Sequence, residues 1–255
     1  MNPGVLYFVF GKEGRMNYFD LLERSVKSLR QHMPNLKIGL HTNIKTEVDK
    51  LCDDVFYTEH PGKRMWQYKW NQCLPKSPYN PTLHLDADTY ICDDFSEVFD
   101  LMKTFDLAIP ISPFYAANEP LEGVPECFPE LAGGFILWQD NERVRNFFER
   151  TFQLVRRKHW RRADEPSLRK ALFESDVRFA IVPWEYTCVY NYPGYVYGKV
   201  KILHGWRNSR HLRRLEEKFN RHLGGRVYTG EKIYHLTFSK KTRLTTEHEV
   251  IQYRN

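Results

Sequence analysis

The chain has 255 residues, 42% of them hydrophobic and 15% aromatic, which is enough for one substantial core; it contains no run of eighteen apolar residues that could span a bilayer, and its N-terminal apolar run, Val5 to Phe10, is too short for the core of an export signal. The five cysteines (Cys52, Cys73, Cys92, Cys127 and Cys188) are scattered, odd in number and never in a C-x-x-C pair, which argues against a disulfide framework or a zinc site and for reduced thiols in a cytoplasmic protein. The formal charge of +6 is concentrated late: Arg156, Arg157, Lys158, Arg161 and Arg162, together with the segment from Arg207 to Arg226, carry +10 and leave −4 elsewhere. Such segments read either as solvated helix faces or as surfaces for an acidic acceptor, nucleic acid or membrane.

In chain order, Val5 to Phe10 reads as a buried strand closed by Gly11 and Gly14. Phe19, Leu22, Val26, Leu29 and Met33 then follow at helical spacing up to Pro34. Lys37 to Thr42, Asp54 to Tyr57 and Leu83 to Asp86 read as further strands with helical patterns between them, and Asp106 to Ile111 as another. The long Pro-containing stretch from Ser112 to Glu130 reads as a loop facing a substrate. Gly133 to Trp138 leads into a helix over about 141–155, and Asp164-Glu165-Pro166 opens another that runs to about Phe173, with Asp164 placed to cap it and Pro166 in its first turn. Val177 to Val182, an aromatic stretch containing Trp184, Tyr190 and Tyr197, and Lys201 to Trp206 follow. The alternation implies a single α/β domain, a Rossmann-like, mostly parallel sheet flanked by helices. Ligands then sit outside the carboxyl ends of the strands, which brings Phe10, Gly11 and Lys12, Thr42 and Asn43, and Asp86 to Asp88 to one crevice.

The most informative stretch is Leu83-His84-Leu85-Asp86-Ala87-Asp88. In an extended segment residues i and i+2 point to one side, so Asp86 and Asp88 can converge on one hard divalent cation, to which a diphosphate would add oxygens. Aspartates also close turns after strands, which is the plain structural alternative. His41 and His84 read as packed or hydrogen-bonded residues rather than ligands.

This D-x-D, together with the order of the motifs around it, resembles GT-A fold glycosyltransferases, in particular the retaining group related to glycogenin and bacterial galactosyltransferases. The resemblance runs from Val5 to about Trp206. It implies that Asp86 and Asp88, with Ala87 between them, hold a nucleotide-sugar through a metal, and that Lys69, in Met65-Trp66-Gln67-Tyr68-Lys69-Trp70, is the basic residue contacting the nucleotide. It implies further that Gly133 and Gly134 face the donor sugar, that Asp164 and Glu165 match the acid pair of the catalytic region, and that His204, in a shortened His-Gly-Trp segment, is a third metal ligand. An imidazole ligand favours Mn²⁺ over Mg²⁺. The expected activity is transfer of a hexose, from UDP first among donors, to a hydroxyl of a glycan or small molecule. Residues 1–110 would form the nucleotide-binding half, 111–206 the donor-sugar and acceptor half, and 207–255 a basic C-terminal segment.

Three alternatives remain open at this level. The segments 156–162 and 207–226 could track the phosphates of DNA, either as the acceptor surface of a DNA-modifying glycosyltransferase or in a non-enzymatic nucleic-acid-binding protein. A phosphatase with an acid after a strand is the third reading, weakened because Thr89 stands one position early for that motif.

Overall fold

A computed structural model describes residues 2–11, 18–113, 120–157, 164–237, 243–246 and 250–251. Lys12, part of the long loop (114–119) and residues 158–162 of the first basic segment lie outside the described residues.

The first half alternates as the sequence predicts: β1 (Gly4–Val9), α1 (Tyr18–His32), β2 (Lys37–Thr42), β3 (Asp54–Tyr57), the short α2 (Met65–Tyr68), β4 (Thr82–Leu85) and β5 (Thr89–Ile91). It continues with β6 (Leu107–Pro110), β7 (Phe135–Trp138), α3 (Glu142–Arg157), α4 (Glu165–Phe173) and β8 (Phe179–Val182). The central sheet has the order β3-β2-β1-β4-β7-β6-β8. All of its neighbours pair in parallel except β7, which runs antiparallel to both β4 and β6.

Side chains of a strand alternate between faces, and each face here has its own core. Val5, Tyr7 and Val9 of β1, Leu83 and Leu85 of β4, and Phe135 and Leu137 of β7 join Leu22, Val26 and Leu29 of α1 on one side. Leu6, Ile136 and Trp138 face the other way and meet Trp70, Phe147, Phe148 and Leu168 beneath α3 and α4. With both faces covered, the strands read as continuous apolar runs, which is why they are visible in the sequence.

The last third is built from β9 (Cys188–Val189), β10 (Gly194–Val196), β11 (Ile202–His204), α5 (Ser209–Asn220), β12 (Arg226–Thr229), β13 (Lys232–Thr237), β14 (Arg243–Thr246) and β15 (Val250–Ile251). β11 lies between β5, antiparallel, and β9, parallel. α5 occupies part of what the sequence suggests is a basic segment; its Leu212, Leu215 and Phe219 are buried against Tyr90, Val196, Leu203 and Tyr228 in a third core. Each such burial is worth about 1.5–3 kcal/mol, so this helix is structural along one face. Asn208 caps it by accepting a bond from His211 N at 3.0 Å. The basic surface is smaller than the sequence implies: Arg226 is fully buried, and Arg207 pairs with Glu231 at 3.0 Å. Among the described residues no helix is long and apolar enough to cross a membrane.

Candidate functional site

β1 and β4 are parallel neighbours, so Phe10 and Asp86 leave the sheet at the same edge. Residues 86–88 form a turn between β4 and β5 rather than an extended continuation of β4, as i and i+2 alternation would have it. The Thr89 hydroxyl closes this turn by donating to the Asp86 carbonyl at 2.9 Å. The convergence of the two carboxylates is retained, by a turn instead of a strand. The pairing of β11 with β5 sets His204 opposite Thr89. His204 Nε2 thereby comes within 3.0 Å of Asp88 Oδ1 and 3.7 Å of Asp86 Oδ2. One ligand atom from each of Asp86, Asp88 and His204 lies within 4.8 Å of the others.

Two carboxylates and an imidazole converging in this way fit a hard or borderline divalent cation. Burial works against the charge on Asp86, but the His84 imidazole at 3.5 Å and the charges of Lys69 and His204 outweigh it and hold its carboxyl well below the usual range. Burial likewise opposes a charged His204, yet the facing carboxylates of Asp88 and Asp86 raise it to about 9. Without a cation, a proton on the imidazole balances the two acids; a bound divalent ion would take its place.

Gly134 is the neighbour that the Asp86, Asp88 and His204 cluster requires to be small. Asp86 N donates to Gly134 O at 3.0 Å, and a Cβ at Gly134 would lie 2.5 Å from Asp86 Oδ2 and 2.7 Å from His204 Cε1. Gly133 belongs to the adjoining cluster: Lys69 Nζ donates to its carbonyl at 2.9 Å. Lys69 is also 3.3 Å from Asp164 Oδ2, and both side chains are almost fully buried. Asp164 stands at the N-cap of α4, but its side chain makes no capping bond. The Trp70 indole N–H, at 2.6 Å, and the Lys69 ammonium take the carboxylate instead, because a buried carboxylate gains more from an indole donor and a cation than from one backbone amide. Glu165, the first residue of α4, is pushed up to about 7 by burial and then by the charge of Asp164. It also feels the charges of Lys69 and Asp86, and its Oε2 is buried without a hydrogen-bond partner.

The remaining expected residues divide. Phe10 and Ala87 line a cleft of about 500 Å³ together with Phe8, Val9, Tyr18, Met65, Trp66, Asp86, Asp88 and Trp206. Gly11 and Asn43 bond to each other, with Gly11 N donating to Asn43 Oδ1 at 2.9 Å and Asn43 Nδ2 donating to Gly11 O at 3.0 Å. Thr42 is fully buried, and its hydroxyl bonds within its own turn at Ile44. Asn43 thus ties the ends of β1 and β2 together at the crevice. His41 bonds Tyr68 through Nδ1, and His84 bonds the Leu6 carbonyl through Nδ1, in keeping with packed residues. Sequence reasoning did not single out Phe8, Tyr18, Trp66 and Trp206 as lining the cleft; the aromatic run around Lys69 was the available signal for Trp66.

No protein-family model and no curated protein sequence matches the chain. Solved structures do match its fold. Galactosyltransferase LgtC, solved with donor and acceptor sugar analogues, superposes with a TM-score of 0.59 at 11% identity over 85% of this chain and 96% of its own. The glycosyltransferase GlyE of Streptococcus pneumoniae TIGR4 gives 0.55 at 19% identity over 74% of this chain, which spans about half (48%) of GlyE. Mouse xyloside xylosyltransferase 1 gives 0.51 at 14% identity, over 79% of this chain and 97% of its own. The fold of the chain is GT-A.

Proposed function

We propose that this protein is a metal-dependent glycosyltransferase that moves a hexose from a nucleoside diphosphate sugar, UDP-hexose first, to a hydroxyl of a glycan or small-molecule acceptor, with retention at the anomeric carbon. The observation that carries this reading is the convergence of His204 on Asp86 and Asp88, two residues that line an aromatic cleft of about 500 Å³ at the carboxyl edge of a GT-A sheet. Asp86, Asp88 and His204 would hold Mn²⁺, or Mg²⁺, which as a Lewis acid supplies charge stabilisation to a departing diphosphate.

The chain's own residues account for the rest. Phe8, Phe10, Tyr18, Trp66 and Trp206 offer aromatic walls against which a base and ribose can stack. Lys69 fixes the Gly133 peptide and pairs with the Asp164 carboxylate, so both are set before any donor arrives. Asp164 orients Lys69 and Trp70, while Glu165, raised to about 7, can hold a proton on its unpartnered Oε2 at neutral pH and donate it to, or recover it from, a sugar hydroxyl. Gly133 and Gly134 let backbone approach the sugar closely.

The test is a thermal-shift panel of UDP, GDP, ADP and CMP with Mn²⁺ and with chelator. At about one hundred times the dissociation constant, the preferred nucleotide stabilises by about 2.7 kcal/mol, or about 5–10 °C for a chain of this size. The expected result is a shift with UDP that disappears with chelator and in Asp88→Ala. No metal-linked shift with any of the four would overturn the reading.

A further inference from the structure

The segment that carries His204 and Trp206 is held from behind by a side chain remote from it in sequence. Arg24, on α1, is 8% exposed; its Nη2 donates to Gly205 O at 3.0 Å, and its Nη1 donates to Arg207 O. The same residues are tied on their other side, where Gly205 N donates to Asp88 O at 2.8 Å and Arg207 N donates to the Tyr190 hydroxyl at 3.1 Å. Gly205 has φ +150°, and a Cβ there would fall 2.6 Å from the Tyr190 ring. Trp206 lies between the two clamped carbonyls. It is 64% exposed and forms one wall of the cleft.

The next residue of α1 fastens the neighbouring turn, which carries the two aspartates. Ser25 Oγ bonds Tyr7 OH at 2.9 Å and Thr89 Oγ1 at 2.7 Å, and Thr89 in turn holds the Asp86 carbonyl. Consecutive residues of one helix therefore anchor the turn of Asp86 and Asp88 and the strap of His204 to Arg207. A planar fork presents two donor arms in a fixed geometry that matches carbonyls two residues apart, a geometry that the single freely rotating ammonium of Lys does not reproduce. A buried guanidinium is costly to keep, and the fold spends it on these two backbone carbonyls.

We infer that Arg24 is a positioning residue for the nucleotide site: through the carbonyls of Gly205 and Arg207 it sets Trp206 as a wall of the cleft and His204 against Asp88. The inference rests on the donor site proposed above, and the two can fail separately.

The experiment compares Arg24→Met and Arg24→Lys with Arg30→Met. Arg30 also lies on α1 and also donates to backbone carbonyls, those of Leu51, Pro34 and Leu36, away from the cleft. Two readouts are taken for each: Mn²⁺-dependent UDP affinity, and acrylamide quenching of Trp206, obtained as the difference between each protein and its Trp206→Phe counterpart. Arg24→Met should weaken UDP at least tenfold and increase Trp206 quenching, with Arg24→Lys recovering only part of either. Arg30→Met should lower the melting temperature and change neither readout. A folded Arg24→Met protein with wild-type UDP affinity and wild-type quenching would overturn the inference. If wild type itself binds no nucleotide, the donor-site reading fails, and the quenching comparison still decides whether Arg24 positions Trp206.

Discussion

Gly134→Ala is the sharpest perturbation the site offers. The added Cβ would meet Asp86 Oδ2 at 2.5 Å and His204 Cε1 at 2.7 Å, where non-bonded carbon contacts are comfortable at about 3.5–4.0 Å. Backbone relief is blocked, since Asp86 N is bonded to Gly134 O and Leu85 is in register with Phe135 in the β4–β7 ladder. The side chains must therefore move by about an ångström, at an overpacking cost of about 1–3 kcal/mol. Displacement on that scale of two of the three candidate ligands should weaken Mn²⁺-linked UDP binding by roughly 10²-fold. At a UDP concentration that stabilises wild type by about 2.7 kcal/mol, the variant should then gain only about 0.4 kcal/mol. Gly133→Ala is the matched comparison: its nearest contact is the Lys69 ammonium at 3.3 Å, the end of a flexible chain that can give by a few tenths of an ångström. It should bind UDP within a few-fold of wild type. Melting curves of both variants with UDP and Mn²⁺, and with chelator, decide the matter. A well-folded Gly134→Ala protein with the full UDP shift would refute the placement of the metal beside Gly134.

Other expectations follow from the same contacts. Asp106 is fully buried and receives both arms of Arg143, both arms and the backbone N–H of Arg178, and the Asn141 amide; Asp106→Asn should cost about 3 kcal/mol, read as a fall of about 6–12 °C in melting temperature. Burial works against the Asp53 carboxylate, but bonds from Lys37, Arg30 and the Ile38 N–H outweigh it and lower it to about 2. Because its folded value is depressed, that stabilisation is present above the unfolded value near 3.8 and is lost as pH falls through about 2. Denaturant melts should therefore show Asp53→Asn less stable than wild type by about 2 kcal/mol at pH 6, with the gap closing between pH 4 and 2; a gap independent of pH would count against it. Replacing Arg213 and Arg214 on α5 should leave UDP affinity unchanged in the same titration, since neither lines the cleft.

The local half of this protein is written in its residue order. β2 and β3 span the residues their apolar runs mark out, and α1 follows the spacing of Leu22, Val26 and Leu29, because period and turn chemistry act over a few residues. The same holds for the paired aspartates, which lie two residues apart in one turn. In the region of α5 the arginines dominate the sequence, which reads as a basic segment, either a solvated helix face or a binding surface; that Leu212, Leu215 and Phe219 bury one face of this helix in a third core comes from the fold. What only the tertiary structure decided are contacts between distant residues: the antiparallel entry of β7 between β4 and β6, Lys69 on Asp164 and Gly133, His204 on Asp88, and Arg24 on Gly205. No local pattern encodes these. Each depends on which strands become neighbours, and that is settled by how the three cores close rather than by any one segment's propensity.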